Sequence, residues 1–417
     1  MIRRSLDDWL AYISTQHPAA IALGLDRVRA VWDRMGFGTP PVTITVGGTN
    51  GKGSTCAILE RILLESGYDV GLYTSPHLLR YNERVRVRGE EADDDALADG
   101  FAAVEAARGD VPLTYFEYAT LAALALYARE QLDAVILEVG LGGRLDAVNI
   151  VDADCAIVAS VDLDHQAFLG NDRETIAFEK AGIFRPQRPA IFGDTHAPAR
   201  LVEHAEAIGA RLLVLGRDFR YEAQERQWDF IGPRGSKRAL PIPALRGRWQ
   251  LKNASSALAA LDELADRLPV SLGEIKRGLT TVRLEGRMQS IPGRPAVVLD
   301  VAHNPHAARA LADGLGDMGF FENTFAVFGI LADKDVEGVV AAMAPRVDRW
   351  YVAAPGSERA ASAADVAAVI ERHGAAARRF ATVPAALEEA RREAGPNDRI
   401  VVFGSFYTVA DALRYLR

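Results

Sequence analysis

Cysteine is scarce: Cys56 and Cys155 are the only two in 417 residues, far apart and each inside an apolar run. That argues against a disulfide framework or a cysteine-based metal site and reads both thiols as buried. Blocks of lysine and arginine are also lacking, and the formal net charge is −8, so nucleic acid is not expected as the main partner. No uninterrupted apolar stretch is long enough to span a bilayer, and no apolar run precedes Asp7 and Asp8. A membrane partner and a secretory leader are therefore not expected, and the cytoplasm is the expected location. Internal repeats and low-complexity tracts are missing too. What remains is a globular chain of near-average hydrophobic content, too long for one ordinary core, which predicts two domains.

The most informative stretch is 42–55, VTITVGGTNGKGST. A β-branched strand runs into a glycine-dense turn, and Lys52 opens a helix. Gly47, Gly48, Gly51 and Gly53 let the backbone curl so that successive N–H groups face inward, while the helix start adds the positive end of its dipole. That describes a phosphate cradle. Lys52 would reach the outer phosphates, and Ser54 or Thr55 would lie close to a bound Mg²⁺. The usual P-loop has four residues between its first glycine and Gly-Lys-Ser/Thr, whereas here three separate Gly47 from Gly51 and Gly53 intrudes before Ser54. The cradle is a variant. A glycine-rich turn with a surface lysine is the plainer reading, disfavoured by the strand before it and the apolar 56–59 helix after it.

Short apolar segments alternate with amphipathic ones, the pattern of βαβ units and a parallel sheet. Strands are expected at 42–46, 70–73, 134–139, 155–161 and 190–192, with helices at 55–66, 116–131 and 174–181. Residues 217–243 turn polar and aromatic, as in a small β excursion, before an alanine-rich helix at 251–264. Residues 284–295, with Gly286, Pro292, Gly293 and Pro295, read as the linker. Beyond it, buried strands at 296–300, 325–329, 350–353 and 400–403 predict a second, smaller α/β domain. The expected domains are thus 1–290 and 296–417.

Ligands of open α/β sheets collect beyond the carboxyl ends of the strands. Three such ends carry polar chemistry: Thr74-Ser75-Pro76-His77, the segment 138–146 with Glu138, Gly140, Gly142 and Gly143, and Asp162-Leu163-Asp164-His165. A hydroxyl, a carboxylate and an imidazole at the edge of a phosphate cradle can ligate a divalent cation, with nucleotide-bound Mg²⁺ the natural choice. Each alone reads as a helix cap or a solvated loop residue; together they favour a site.

Seven ordered motifs carry a family resemblance: GTNGKGS at 48–54, YTSPHLLRYNERVRV at 73–87, LTYFEYATLAAL at 113–124, ILEVGLGGRLDAVNIVDAD at 136–154, LDHQAFLGNDRETIAFEKAGIFR at 163–185, DVAHNPHAA at 300–308 and GSFYTV at 404–409. The chain resembles the bacterial dihydrofolate synthase/folylpolyglutamate synthases of the Mur ligase superfamily over essentially its whole length. The resemblance implies a P-loop domain like the Mur ligase central domain and a Rossmann-like C-terminal glutamate-ligase domain. It implies an ATP-dependent ligase that joins L-glutamate to dihydropteroate and then to reduced folates. ATP and Mg²⁺, as two ions, are the implied cofactors, with a monovalent cation as a further candidate and a monomer as the implied state.

By motif, Ser75, Glu138 and His165 resemble Mg²⁺ ligands, and Thr49, Asn50, Gly51, Lys52, Gly53 and Ser54 the triphosphate loop. Asn253, Arg287 and Asp300 resemble nucleotide contacts. Ile21, Ala22 and Leu23, then Thr114, Tyr115, Phe116 and Glu117, and Leu145, Asp146 and Ala147 resemble segments against the pterin substrate, with Arg84 near its carboxylate. Phe116 reads equally as a core aromatic. Asp300 and His303 resemble residues facing nucleotide and incoming glutamate, and Ser405 a glutamate contact. His303 either guides and deprotonates the amine or serves as a strand-end hydrogen-bonding residue. Lys180 resembles a family lysine modified to a carbamate that ligates a second Mg²⁺; otherwise it snorkels from its helix or pairs with Glu174 or Glu179.

Three positions depart from the family pattern. Ala22 stands where Asp is frequent, Asp162 where an apolar residue is usual, and Gln166 where threonine is common. They put substrate preference in question, not the ligase chemistry. A cell-wall Mur ligase is the nearest alternative, with a plain P-loop ATPase or kinase and a nucleotide-gated binding module further off. The LTYFEY segment and the helical N-terminal stretch favour folate.

Overall fold

The computed structural model describes residues 4–19, 21–38 and 41–417. The chain forms two compact units: residues up to Ala244 together with Leu251–Val282, and Leu245–Gln250 together with Arg283–Arg417.

In the first unit the strands are β1 (Val42–Gly47), β2 (Val70–Tyr73), β3 (Val85–Val87), β4 (Glu90–Glu91), β5 (Ala134–Glu138), β6 (Cys155–Val158), β7 (Pro189–Phe192) and β8 (Arg211–Val214). They form one sheet in the order β4-β3-β2-β5-β1-β6-β7-β8. β1 runs parallel to β5 on one side and β6 on the other, with Ile44 opposite both Ile136 and Cys155. Every residue of β1 is buried, as a central strand covered on both faces requires, which is why it reads as a continuous apolar and threonine run. β3 and β4 are antiparallel and end the sheet with Arg86, Glu90 and Glu91, polar side chains suited to an exposed edge. Pattern reading missed these two strands because they are short and charged.

Helices Lys52–Glu65 and Tyr115–Tyr127 pack on this sheet, the second buried from Glu117 through Tyr127. Cys56 lies on the first and Cys155 on β6, both free and buried. Burial pushes the Cys56 thiol well above its usual range, and the Glu138 charge adds to this, so it is an inert core group. The expected β excursion is a three-stranded antiparallel sheet of β9 (Arg220–Ala223), β10 (Gln227–Gly232) and β11 (Gly235–Pro241), in the order β11-β10-β9 around buried Trp228 and Phe230.

The second unit holds β12 (Gln289–Ile291), β13 (Ala296–Leu299), β14 (Thr324–Phe328), β15 (Arg349–Ala353), β16 (Ala377–Phe380) and β17 (Arg399–Phe403), in the order β12-β13-β17-β14-β15-β16. All pairs are parallel except β12 with β13. That exception corrects the linker reading. Pro292, Gly293 and Pro295 turn a hairpin between β12 and β13, so the two compact units part at Val282 rather than near residue 290. Among the described residues no helix is long and apolar enough to cross a membrane.

Candidate active site

The consecutive strands β2-β5-β1-β6 bring four chemically loaded loops to one sheet edge. From β1 the chain enters the glycine turn, where Gly48 and Gly51 take φ of +139° and +89°. A Cβ on Gly51 would lie 2.5 Å from Asn253 Oδ1, and one on Gly48 would lie 3.1 Å from the Ala159 and Ser160 nitrogens. Only glycine fits both.

The loop is braced by the tail of β6. Thr49 N–H donates to the Ser160 carbonyl at 2.8 Å and Asn50 N–H to Ser160 Oγ at 3.0 Å. These two amides therefore do not face a phosphate; the N–H groups at the start of the Lys52–Glu65 helix are the ones left for an anion. Thr49 Oγ1 donates to the Asp162 carbonyl and accepts from Asp162 N–H, both at 3.0 Å. Asp162 thus braces the cradle through its backbone. Lys52 Nζ donates to the Gly48 and Thr49 carbonyls at 2.9 and 3.1 Å, so the ammonium is folded onto the loop. Thr55 Oγ1 donates to the Gly51 carbonyl at 2.9 Å, which narrows the hydroxyl beside a metal to Ser54.

At the end of β5, buried Glu138 accepts from Ser75 N–H at 3.2 Å. His165 occupies a left-handed position, φ 50°, with Nε2 4.0 Å from Asp164 Oδ2. Among the described residues no three His, Cys, Asp or Glu side chains gather to hold a metal. Of the three residues singled out from the sequence, Ser75 and Glu138 are in direct contact through the Ser75 N–H.

Lys180 lies on the helix Arg173–Ala181 and is 5% exposed. It has neither of the carboxylate partners considered from the sequence: Glu179 pairs with Arg144 at 2.9 Å, and Glu174 accepts from Arg200 N–H at 2.9 Å. Nor does it snorkel. Burial lowers its pKa to about 7, and the Lys52 charge contributes in the same direction. Gly143 allows the β5 loop to press onto this helix, since a Cβ there would lie 2.9 Å from the Glu179 carbonyl and 3.0 Å from that of Lys180.

The segments resembling substrate contacts meet in the same unit. Gly24 N–H donates to the Leu145 carbonyl at 3.3 Å, tying the Ile21-Ala22-Leu23 loop to the β5 loop. Thr114 and Glu117 form a capping box at the start of Tyr115–Tyr127. Phe116 is half-buried, and its Cζ would lie 2.5 Å from a Cβ on Gly140, so that glycine makes room for the ring. Asp146 accepts from Leu141 and Val148 N–H at 2.8 and 3.0 Å; burial raises its pKa to about 6. Its carboxylate shapes the loop. Arg84 Nε donates to His77 Nδ1 at 2.8 Å. Sequence reasoning named His77 and Asp164 among the strand-end residues without giving either its own role, and passed over Arg27, which lies beside the 21–23 segment.

In the second unit, Asp300 at the end of β13 accepts from Met288 and Ala302 N–H, both at 2.8 Å, and burial raises its pKa. His303 Nδ1 is 2.9 Å from the Val301 carbonyl. A carbonyl can only accept, so Nδ1 is the donor in this contact. The Arg287 guanidinium lies 5.0 Å from the Phe406 ring centre. Ser405 is buried, caps the last helix through Thr408 N–H at 3.0 Å, and shares a hydroxyl contact with Thr408 at 2.7 Å. That geometry is a helix cap first.

Comparison with known proteins identifies the family. The "Mur ligase middle domain" model matches residues 46–261 and the "Mur ligase, glutamate ligase domain" model residues 286–406. A curated protein of Escherichia coli (strain K12), dihydrofolate synthase/folylpolyglutamate synthase, is 45% identical over 99% of this chain and 95% of its own length. The Haemophilus influenzae protein of the same name is 39% identical over 97% of this chain and 96% of its own. A solved structure of E. coli FolC with DHPP and ADP is 44% identical, covers 99% of this chain and 98% of that one, and has a TM-score of 0.95. A bifunctional folylpolyglutamate synthase/dihydrofolate synthase with Mn, AMPPNP and L-glutamate bound is 43% identical, covers 99% and 98%, and has a TM-score of 0.92. The chain belongs to the Mur ligase family, among its dihydrofolate synthase/folylpolyglutamate synthases.

Proposed function

We propose that this chain is an ATP-dependent ligase that joins L-glutamate to the carboxylate of dihydropteroate and, in further rounds, to reduced folates. The observation that supports the reading is the strand order β2-β5-β1-β6, whose strand ends carry the glycine turn, Ser75 and Glu138, together with the hydrogen bonds that tie residues 22–24 to Leu145 and, through Arg27, to Glu117. Full-length relatives named for this activity support it. They also remove the ground for a cell-wall ligase.

A carboxylate is a poor electrophile, so it must first accept the γ-phosphoryl group of ATP to give an acyl phosphate. Lys52, swinging from the Gly48 and Thr49 carbonyls, meets the charge on the transferring group. The glutamate amine then attacks the acyl carbon, a C–N bond forms, and phosphate leaves. His303, held through Nδ1 against the Val301 carbonyl, is assigned to orient that amine or take its proton. Asn253, Arg287 and Asp300 are assigned to the nucleotide, Arg84 to the substrate carboxylate, and Ser405 to holding the last helix near the glutamate position. A plain ATPase or kinase gives no account of a second unit with its own sheet and matched glutamate-ligase residues.

The oxygen donors of Ser75 and Glu138, with the His165 imidazole, fit a hard divalent cation such as Mg²⁺. When bound, such an ion neutralises phosphate charge. A second ion is assigned to Lys180 as its carbamate, and a monovalent cation completes the set. A cytoplasmic monomer acting on soluble substrates is the proposed working form. The test supplies ATP, Mg²⁺ and L-glutamate with either dihydropteroate or tetrahydrofolate and identifies products by mass. Glutamyl adducts of both are expected; ATP hydrolysis without an adduct would overturn the reading.

A further inference from the structure

Arg84 is set apart from the arginines around it. Arg27, Arg86, Arg88, Arg108 and Arg144 each lie within ion-pair distance of a carboxylate. Arg84 has no such partner among the described residues. The adjacent Glu83 is not available to it, because its carboxylate accepts from the N–H groups of Leu78, Leu79 and Arg80 at 2.6, 2.6 and 2.7 Å. The guanidinium instead sits among aromatic rings, 5.6 Å from the centre of Tyr81 and 5.7 Å from that of Tyr115. A half-buried cation in such surroundings leaves its charge for a ligand to satisfy.

The orientation of that cation is fixed at one atom. Arg84 Nε donates to His77 Nδ1 at 2.8 Å. The imidazole nitrogen must therefore be unprotonated, with the ring proton on Nε2. The ring is in turn held edge-on to Tyr81, centroids 6.2 Å apart at 67°. With Nε engaged by His77, the two terminal nitrogens remain as the edge of the fork that can bind a carboxylate bidentately.

We propose that His77 is a positioning residue for the carboxylate end of the pterin substrate, acting through the Nε of Arg84. The proposal rests on the ligase reading above and adds a residue to which neither composition nor motif had given a role. His77 does not touch the reacting atoms. It removes the rotational freedom of the guanidinium, so the entropy of ordering the fork is spent before the ligand arrives.

The test is equilibrium binding, with ADP and Mg²⁺ present, of two probes: dihydropteroate and its analogue with the carboxylate replaced by hydrogen. For His77→Phe, which keeps a ring against Tyr81 but has no acceptor, binding of dihydropteroate is expected to weaken about tenfold, while the analogue changes by less than about twofold. His77→Gln, which restores an acceptor, is expected to recover part of the loss. Added to Arg84→Ala, His77→Phe is expected to cost nothing more. KM for ATP and for L-glutamate should stay at wild-type values. Equal weakening of both probes would make His77 a loop-structure residue and overturn the proposal, as would unchanged dihydropteroate binding in both variants. A wild-type protein that binds the two probes equally would overturn the pterin-carboxylate reading itself, a result separable from failure of the variants alone.

Discussion

Arg27 and Glu117 bind each other across 90 positions of sequence: Arg27 Nη2 lies 2.8 Å and Nε 3.1 Å from Glu117 Oε1. The same Nη2 donates to the Ala22 carbonyl at 2.6 Å, and the other carboxylate oxygen accepts from Thr114 N–H at 2.7 Å. One guanidinium thus ties the 21–23 loop to the start of the Tyr115–Tyr127 helix. The Ala22 side chain is not needed for this tie because only its carbonyl is used.

Arg27→Ala should therefore act on the pterin pocket more than on the nucleotide. The Glu117 side chain is 5% exposed and that of Arg27 27%, so removing the partner strands a buried carboxylate while solvent screens part of the loss. The expected destabilisation is about 1–3 kcal/mol by urea unfolding. KM for dihydropteroate should rise with KM for ATP unchanged. Arg27→Lys cannot reach Glu117 and Ala22 together, so it should recover stability better than affinity. Equal rises in both KM values would remove the loop-tying role.

Gly51→Ala tests the cradle. A methyl group there would meet Asn253 Oδ1 at 2.5 Å in a backbone conformation that L residues rarely adopt, so the loop must shift. Nucleotide affinity should fall about tenfold or more, measured by ADP titration. Lys52→Ala should leave the fold intact, since its half-buried ammonium donates to two loop carbonyls rather than packing in the core, and slow turnover by about 10²-fold or more. Near-normal turnover in a folded Lys52→Ala protein would sink the phosphate-cradle assignment.

Glu60 sets a pH dependence. Buried on the cradle helix, it lies 3.2 Å from Arg86 Nε but off the line of a hydrogen bond. Burial outweighs the attraction and raises its pKa from 4.5 to about 7. Between those values the folded state holds a proton that the unfolded chain has released, so this group's contribution to stability falls as pH rises from 4.5 to 7. Glu60→Gln should flatten that slope and gain on the order of 1–3 kcal/mol over wild type by pH 8. Parallel stability curves from pH 4.5 to 8 would show that Glu60 titrates normally.

How much of this was legible depends on what each feature needs. β1, β5 and the glycine turn were visible because a doubly buried strand and a phosphate turn each impose a local composition. β16 was not, since Arg378 and Arg379 make it polar, and its strand state comes from pairing with β15. The linker at 284–295 misled for the opposite reason: Pro and Gly mark a hairpin turn as readily as a boundary, and only β13 decides. In the site, residues after strands could be named as candidates, but their pairings could not. Arg27 with Glu117, 90 positions apart, depends on which loops the fold places together, whereas Arg84 and His77 are seven apart and meet within the single segment between β2 and β3. For Lys180, helix pattern alone left a salt bridge open until Arg144 and Arg200 were seen to occupy both carboxylates.

Lys180 gives the last prediction. Its pKa of about 7, against 10.5 for an ordinary lysine, means that at pH 7–8 a large share of the side chain is a neutral amine, the form that attacks CO₂. The amine nitrogen bonds the carbon, a proton is released, and the product is a carboxylate on a long arm. Such a group reverses the sign of the charge at a position where Lys52 already supplies a cation, and it can hold a metal that an ammonium would repel. Lys180→Ala should therefore cost at least about 10²-fold in turnover, and acetate or propionate should restore part of it by supplying the missing carboxylate. ¹³C-labelled bicarbonate should give a carbamate resonance in the wild-type protein that Lys180→Ala lacks, and activity should fall as pH drops below 7 and the amine becomes protonated. If rigorously CO₂-free enzyme keeps full activity and shows no such resonance, the carbamate reading of Lys180 is wrong.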